Sequence, residues 1–210
     1  KEPYVLPTVM TCNEVKEILK YLYKLRADNP DTGGYAYKAQ TRDIAVVELL
    51  FATGIRVSEL CELSCDAVDL KQATIKVFGK GSKERVIQIC SVEVLKILRQ
   101  YQRLFAPSKC FFINRLGNRL SSQSVRLLIK RCREEIGIGK KITPHTFRHT
   151  FATLLLEEDV DIKYIQNLLG HSSITTTQIY THVNMNKQKK PLYFYYLLIL
   201  IVIVAGNMLF

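Results

Sequence analysis

Between Thr41 and Gly54 the apolar residues Ile44, Val47, Leu50 and Phe51 recur at helical spacing. Gly54 stands where such a helix ends. Upstream, Thr11-Cys12-Asn13-Glu14 reads as a capping box, which opens a first helix running to about Leu25. The stretch from Asp28 to Gly34 holds Asn29-Pro30-Asp31 and Gly33-Gly34, and is predicted as a loop. A short helix is expected over Arg56–Leu63. The pattern then changes to strict alternation. Thr74–Phe78 and Arg85–Ile89 alternate around Gly79-Lys80-Gly81-Ser82-Lys83, which predicts a β-hairpin with a glycine-rich, doubly basic turn. Ser91 can cap a helix reaching about Leu104, and Cys110–Ile113 is a possible third strand. Helices return over about Ser122–Glu135, Pro144–Leu156, Ile162–Leu169 and Ile174–His182. Pro144 follows the capping Thr143 at the first helical position, and Gly170 can close the helix before it. No repeat of solenoid period is present. The expected fold is mainly α with a small antiparallel β-sheet (α+β).

Composition narrows the picture. A chain of 210 residues with 48% hydrophobic and 23% charged residues is neither an acidic disordered chain nor a disulfide mini-protein. It can bury roughly 70% of its unfolded surface. Six cysteines, Cys12, Cys61, Cys65, Cys90, Cys110 and Cys132, form no CxxC pair. They are expected as ordinary thiols in a reducing compartment, with no metal site. Charge is more informative: 30 Lys+Arg against 19 Asp+Glu give a formal +11. Residues 191–210 carry no charge, so the whole excess belongs to residues 1–190. A polyanionic partner is implied, either nucleic acid or an anionic membrane surface. The start at Lys1 without a signal peptide reads as a fragment or processed end, with an upstream domain missing.

Four features could carry chemistry. In Thr53-Gly54-Ile55-Arg56-Val57-Ser58-Glu59-Leu60 an arginine follows the helix-breaking glycine, and Glu59 lies three residues on, close enough to orient it. The hairpin turn offers Lys80 and Lys83 to a phosphate backbone. In Thr143-Pro144-His145-Thr146-Phe147-Arg148-His149, His145 and Arg148 project from one face near a helix N-terminus, a place that favours anions; His149 points about a quarter-turn away and reads as structural. In the last, His171 follows Gly170 and Tyr180 comes nine residues later. A tyrosine nucleophile needs a cationic field to favour its phenolate, since its resting pKa is about 10. Each feature alone has a bland reading as a solvated charge, a turn or a core side chain.

Together they resemble the tyrosine recombinase (phage integrase) family, most closely its Xer-like branch. The segments "ATGIRVSEL", "GKGSKERV", "TPHTFRHTFAT" and "LLGHSSITTTQIYTHV" fall in the family's order and spacing over about residues 8–184. The resemblance implies a catalytic domain that cuts and rejoins DNA by transesterification through a 3′-phosphotyrosine intermediate. It implies Tyr180 as nucleophile, with Arg56 and Arg148 clamping the scissile phosphate. His145 would accept the nucleophile's proton or hydrogen-bond to it, and His171 would donate to a phosphate oxygen. Lys80 would protonate the leaving 5′ oxygen, with Lys83 close enough to compete for that role. Glu59 matches a supporting acidic position. No cofactor, metal or ATP is implied. The implied partners are double-stranded DNA and three further copies of the chain in a homotetramer on paired sites. The expected location is the bacterial cytoplasm, with the nucleoid.

The sequence departs from the family at both ends. Residues 1–185 read as the catalytic domain, without the N-terminal core-binding domain that members usually carry. Residues 186–210 read as a basic linker, Asn186–Lys190, and a hydrophobic tail, Leu192–Phe210, in which Asn207 is the only strongly polar residue. The tail is long enough for a marginal membrane span. Membrane contact through residues 192–210 is the less favoured reading beside a frame-disrupted or fused gene end, with a buried oligomerisation segment a third. The main alternative function is a truncated remnant that binds DNA but does not recombine. A type IB DNA-relaxing enzyme and a small integral membrane protein rank behind it.

Overall fold

The computed structural model describes residues 7–78, 84–105 and 108–170. The order of elements is α1 (Cys12–Ala27), α2 (Tyr35–Thr53), α3 (Val57–Glu62), a 3₁₀ turn (Cys65–Ala67), β1 (Val68–Asp69), β2 (Thr74–Phe78), β3 (Glu84–Gln88), α4 (Val92–Leu104), α5 (Ser122–Ile136), α6 (Pro144–Glu157) and α7 (Ile162–Leu169). Mostly helical with one small antiparallel sheet, it has the expected class. The expected helix over 174–182 lies outside the described residues.

α2 is the axis of the domain. From Ile44 to Leu50 every residue is buried, because α1, α4 and α6 pack around it. A helix surrounded in this way is apolar on more than one stripe. That explains Val46 and Leu49, which lie off the amphipathic face yet are fully buried. The helix starts at Tyr35 rather than near Thr41. The Asp31 carboxylate accepts from the N–H groups of Gly33 and Gly34 at 3.2 and 2.8 Å, so the double glycine leads straight into the helix. It ends at Gly54, in the left-handed region at φ +59°.

Caps set the other boundaries. Thr11 and Glu14 form the reciprocal box on α1, Ser91 accepts from Val94 N–H on α4, and Thr143 accepts from Thr146 N–H on α6. The chain ahead of α1 is tied down at a distance, since Met10 N–H donates to the buried Thr150 hydroxyl at 2.8 Å.

The sheet has the order β1-β2-β3, antiparallel throughout, with Ile75 opposite Ile87 and Val77 opposite Arg85. Its third strand is Val68–Asp69, not Cys110–Ile113. Cys110 and Ile113 make only isolated bridges, to Ser64 and Arg119. The reason is Tyr101, which is buried beside them. Its hydroxyl donates to Phe111 O at 2.9 Å and accepts from Ile113 N–H at 3.0 Å, so a side chain satisfies backbone that a ladder would otherwise pair.

α6 and α7 share a small core of Phe151, Ala152, Leu155, Ile165 and Leu169. Their packing brings the C-terminal end of α7 against the start of α3 and the turn end of the hairpin. No helix among the described residues is long and apolar enough to cross a membrane. The hydrophobic run 192–210 lies outside those residues.

Candidate active site

The site is built where three helix ends and a strand meet. Arg56 is the residue immediately before α3, and Glu59 is in that helix's first turn. The i, i+3 spacing does what it predicts. Arg56 Nη1 donates to Glu59 Oε1 at 2.8 Å, and the Arg56 backbone N–H donates to Glu59 Oε2 at 3.0 Å. Gly54, two residues earlier, turns the chain into this position. A Cβ there would lie 2.6 Å from the Phe151 ring, so the close approach of α2 to α6 needs glycine as much as the positive φ does.

Arg148 comes from the second turn of α6 and is 5% exposed. Its Nη1 donates to Gly54 O at 2.7 Å and its Nη2 to Leu169 O at 2.6 Å. Arg56 Nη2 donates to the next carbonyl, Gly170 O, at 2.8 Å. The two arginines, far apart in sequence, are thus anchored on adjacent carbonyls at the end of α7. Those carbonyls are the unpaired acceptors of a helix terminus and its negative dipole end, a natural seat for guanidinium groups.

Sequence reasoning missed a third arginine. Arg85 Nε donates to Leu168 O at 3.0 Å, while Nη1 and Nη2 fork onto Glu59 Oε1 and Oε2 at 2.9 and 2.7 Å. The signal was present in the alternation of β3. Arg85 shares the inward face with Ile87 and Ile89, and a charged residue on an apolar face requires a partner. Two guanidiniums on the Glu59 carboxylate, with Arg148 close by on the end of α7, leave the site net positive. Burial pushes the Glu59 carboxyl up. The Arg85 fork, the Arg56 N–H, the charge of Arg85 and the Arg56 side-chain hydrogen bond outweigh that and hold it at about 2.

His145 is exposed in the first turn of α6, one turn ahead of Arg148 on the same side of the helix. His149 is half-buried; burial, then the neighbouring His145 and Arg148, push its pKa down, which favours the neutral imidazole. Of the sequence-predicted site residues, the structure therefore brings Arg56, Glu59 and Arg148 together and sets His145 on the Arg148 helix. Lys80, Lys83, His171 and Tyr180 lie outside the described residues; His171 follows Gly170 directly in the chain.

Residues 8–187, which enclose all of these positions, match the phage integrase family. The chain belongs to that family. Among curated relatives of this integrase-family chain, a tyrosine recombinase of Agathobacter rectalis is 49% identical over 193 residues, covering 90% of the chain and 62% of the relative. Tyrosine recombinase XerC of Thermodesulfovibrio yellowstonii is 47% identical over 153 residues, covering 69% and 51%. The integrase-family fold is also that of solved recombinases. XerA recombinase superposes with a TM-score of 0.72 at 34% identity, over 86% of this chain and 62% of that one. XerH site-specific recombinase, in a post-cleavage complex with palindromic difH, gives 0.74 at 26% identity, over 86% and 51%. The integrase-family chain thus spans about half to three fifths of the length of these relatives.

Proposed function

We propose that this chain is the catalytic part of a site-specific tyrosine recombinase, acting on double-stranded DNA. The observation that carries the reading is the anchoring of Arg56 and Arg148 on adjacent carbonyls at the end of α7, within a chain of the integrase family. Two arginines fixed side by side suit the non-bridging oxygens of one phosphate, and their charge counters that of a pentacoordinate transition state.

In this reading the Tyr180 phenolic oxygen attacks the scissile phosphorus and its proton passes to His145. The bond to the 5′ oxygen breaks. Lys80, or Lys83 from the same turn, gives that oxygen a proton, and a 5′-hydroxyl leaves. His171 donates to a phosphate oxygen. The 3′-phosphotyrosine keeps the energy of the broken ester, so a 5′-hydroxyl from a partner strand reverses the step without ATP. Cationic side chains supply the charge stabilisation, and no metal or cofactor enters the step. Glu59 holds Arg56 in place. Residues 1–185 form the catalytic domain and 186–210 the tail. Four copies work on paired DNA sites in the bacterial cytoplasm. Support for the DNA partner comes from XerH, solved with its difH substrate, and from the excess of positive charge.

Covalent trapping tests the proposal. The chain is incubated with a pool of nicked duplexes, from which the short leaving strand diffuses away, and SDS is added. A protein–DNA band that disappears in Tyr180→Phe is the expected result. A band that persists in Tyr180→Phe overturns the assignment of the nucleophile. No band from any pool, with gel shift intact, turns the reading to a chain that binds DNA without cutting it.

A further inference from the structure

The end of α7 presents three successive carbonyls, of Leu168, Leu169 and Gly170, and a different arginine donates to each: Arg85, Arg148 and Arg56. Two of the three have a role in the proposed cleavage. Arg85 does not, yet its guanidinium bridges Glu59 and the end of α7. Its side chain is 13% exposed against 32% for Arg56, so Arg56 is the one more open to a DNA phosphate. Its Nε and both Nη atoms are engaged within the protein. Its fork takes both oxygens of Glu59, the carboxylate that also receives the Arg56 side chain and backbone N–H. A carboxylate held by Arg56 alone could rotate with it; one locked in plane by a second, bidentate guanidinium becomes a fixed post.

We propose that Arg85 is a positioning residue for the cleavage reaction: by locking Glu59 and the last turn of α7 together, it holds Arg56 in the orientation that meets the scissile phosphate. This rests on the function proposed above. The arrangement also explains Gly170. Glycine suits its left-handed φ of +65°, and a Cβ there would lie 2.9 Å from Arg85 Nη1, so the guanidinium would have to shift from its seat over the helix end. Because Arg85 stands on β3, next to Glu84 at the hairpin's turn end, the same clamp ties the hairpin to the helix that leads to His171.

The test is a double-mutant cycle on the trapping reaction, with nicked duplexes that wild type has been shown to cleave. Arg85→Gln is expected to slow adduct formation about tenfold or more, while its gel-shift affinity stays within about twofold of wild type. Arg56→Ala slows it further. If Arg85 acts through Arg56, the double variant is no slower than Arg56→Ala alone. A merely structural ion pair gives losses that multiply, and that result, or an unchanged rate in Arg85→Gln, overturns the proposal. Should Arg85→Gln fail to fold, Arg85→Lys keeps the charge but loses the fork on Glu59, and the same non-additivity with Arg56→Ala is required. A wild-type chain that forms no adduct defeats the DNA-cleavage reading by itself. The clamp is then decided by amide hydrogen exchange at Leu169 and Gly170: faster exchange in Arg85→Gln upholds it and unchanged exchange overturns it.

Discussion

Two buried glutamates of this chain respond to pH in opposite senses, and their surroundings say why. Glu59 is saturated by arginine donors, which hold its pKa well below the ordinary 4.5, at about 2. The native state therefore binds fewer protons than the unfolded one in that range. The stability Glu59 contributes is fully present above about pH 4.5 and is lost as the pH falls towards 2. Glu48 sits in the middle of α2, 5% exposed, with the Tyr23 hydroxyl donating to it. Burial dominates there. It outweighs that hydrogen bond and, with the charge of Glu93 adding to it, raises the pKa to about 7. Here the native state keeps a proton that the unfolded chain releases, so stability falls as the pH rises from 4.5 to about 7 and is flat beyond. Glu48→Gln keeps an acceptor for Tyr23 and removes the titration. Denaturant unfolding should show the variant close to wild type near pH 4.5 and more stable by about 3 kcal/mol at pH 8. Equal stability of the two at pH 8 would show that Glu48 ionises as freely in the fold as in water.

At the scale of elements, the joint between α2, α6 and α7 is the point on which the site depends. Gly54 there combines a left-handed φ with a Cβ position 2.6 Å from Phe151 and 2.9 Å from Leu169. Gly137, at the end of α5, has the same kind of φ, +77°, but nothing within 4 Å. Alanine at the two positions separates backbone strain from collision. Gly137→Ala should cost about 1 kcal/mol, the strain alone. Gly54→Ala should cost about 2–4 kcal/mol, because overpacking is added. It should also slow adduct formation, since Gly54 O is an anchor of Arg148. Similar thermal shifts for the two variants would mean that α6 and α7 yield without cost. Much of this level was legible beforehand. The caps at Thr11, Ser91 and Thr143 mark helix starts, and Gly54 and Gly170 mark ends, because each answers a local need of the backbone. Other features depend on contacts that no local pattern records. The apolar run Phe111–Ile113 has strand propensity, but the Tyr101 hydroxyl takes its backbone groups. The pairing of Arg56 with Glu59 follows from spacing within a single turn. Arg85 reaches the same carboxylate across the fold, and only its inward place on β3 hinted that it must have a partner.

For the molecule as a whole, the decisive quantity is the distribution of charge. The +11 is confined to residues 1–190, and the arginine cluster is a small part of it. Phosphates at the scissile position and phosphates along the flanking duplex should therefore be separable by salt. Each phosphate neutralised releases counterions, so the logarithm of the association constant falls against the logarithm of salt concentration with a slope of about −0.9 per contact. If six phosphates are engaged, affinity drops about 10³-fold between 50 and 200 mM salt. Arg56→Ala removes one contact and should flatten the slope by about 1 without abolishing binding. Fluorescence anisotropy on one duplex across that salt range measures both slopes. A wild-type slope near zero would show that the positive surplus does not serve DNA at all. A steep slope identical in Arg56→Ala would mean that Arg56 meets its phosphate only in the transition state. Cleavage would then be impaired far more than binding, as expected of a group whose interaction strengthens as negative charge builds on the phosphate.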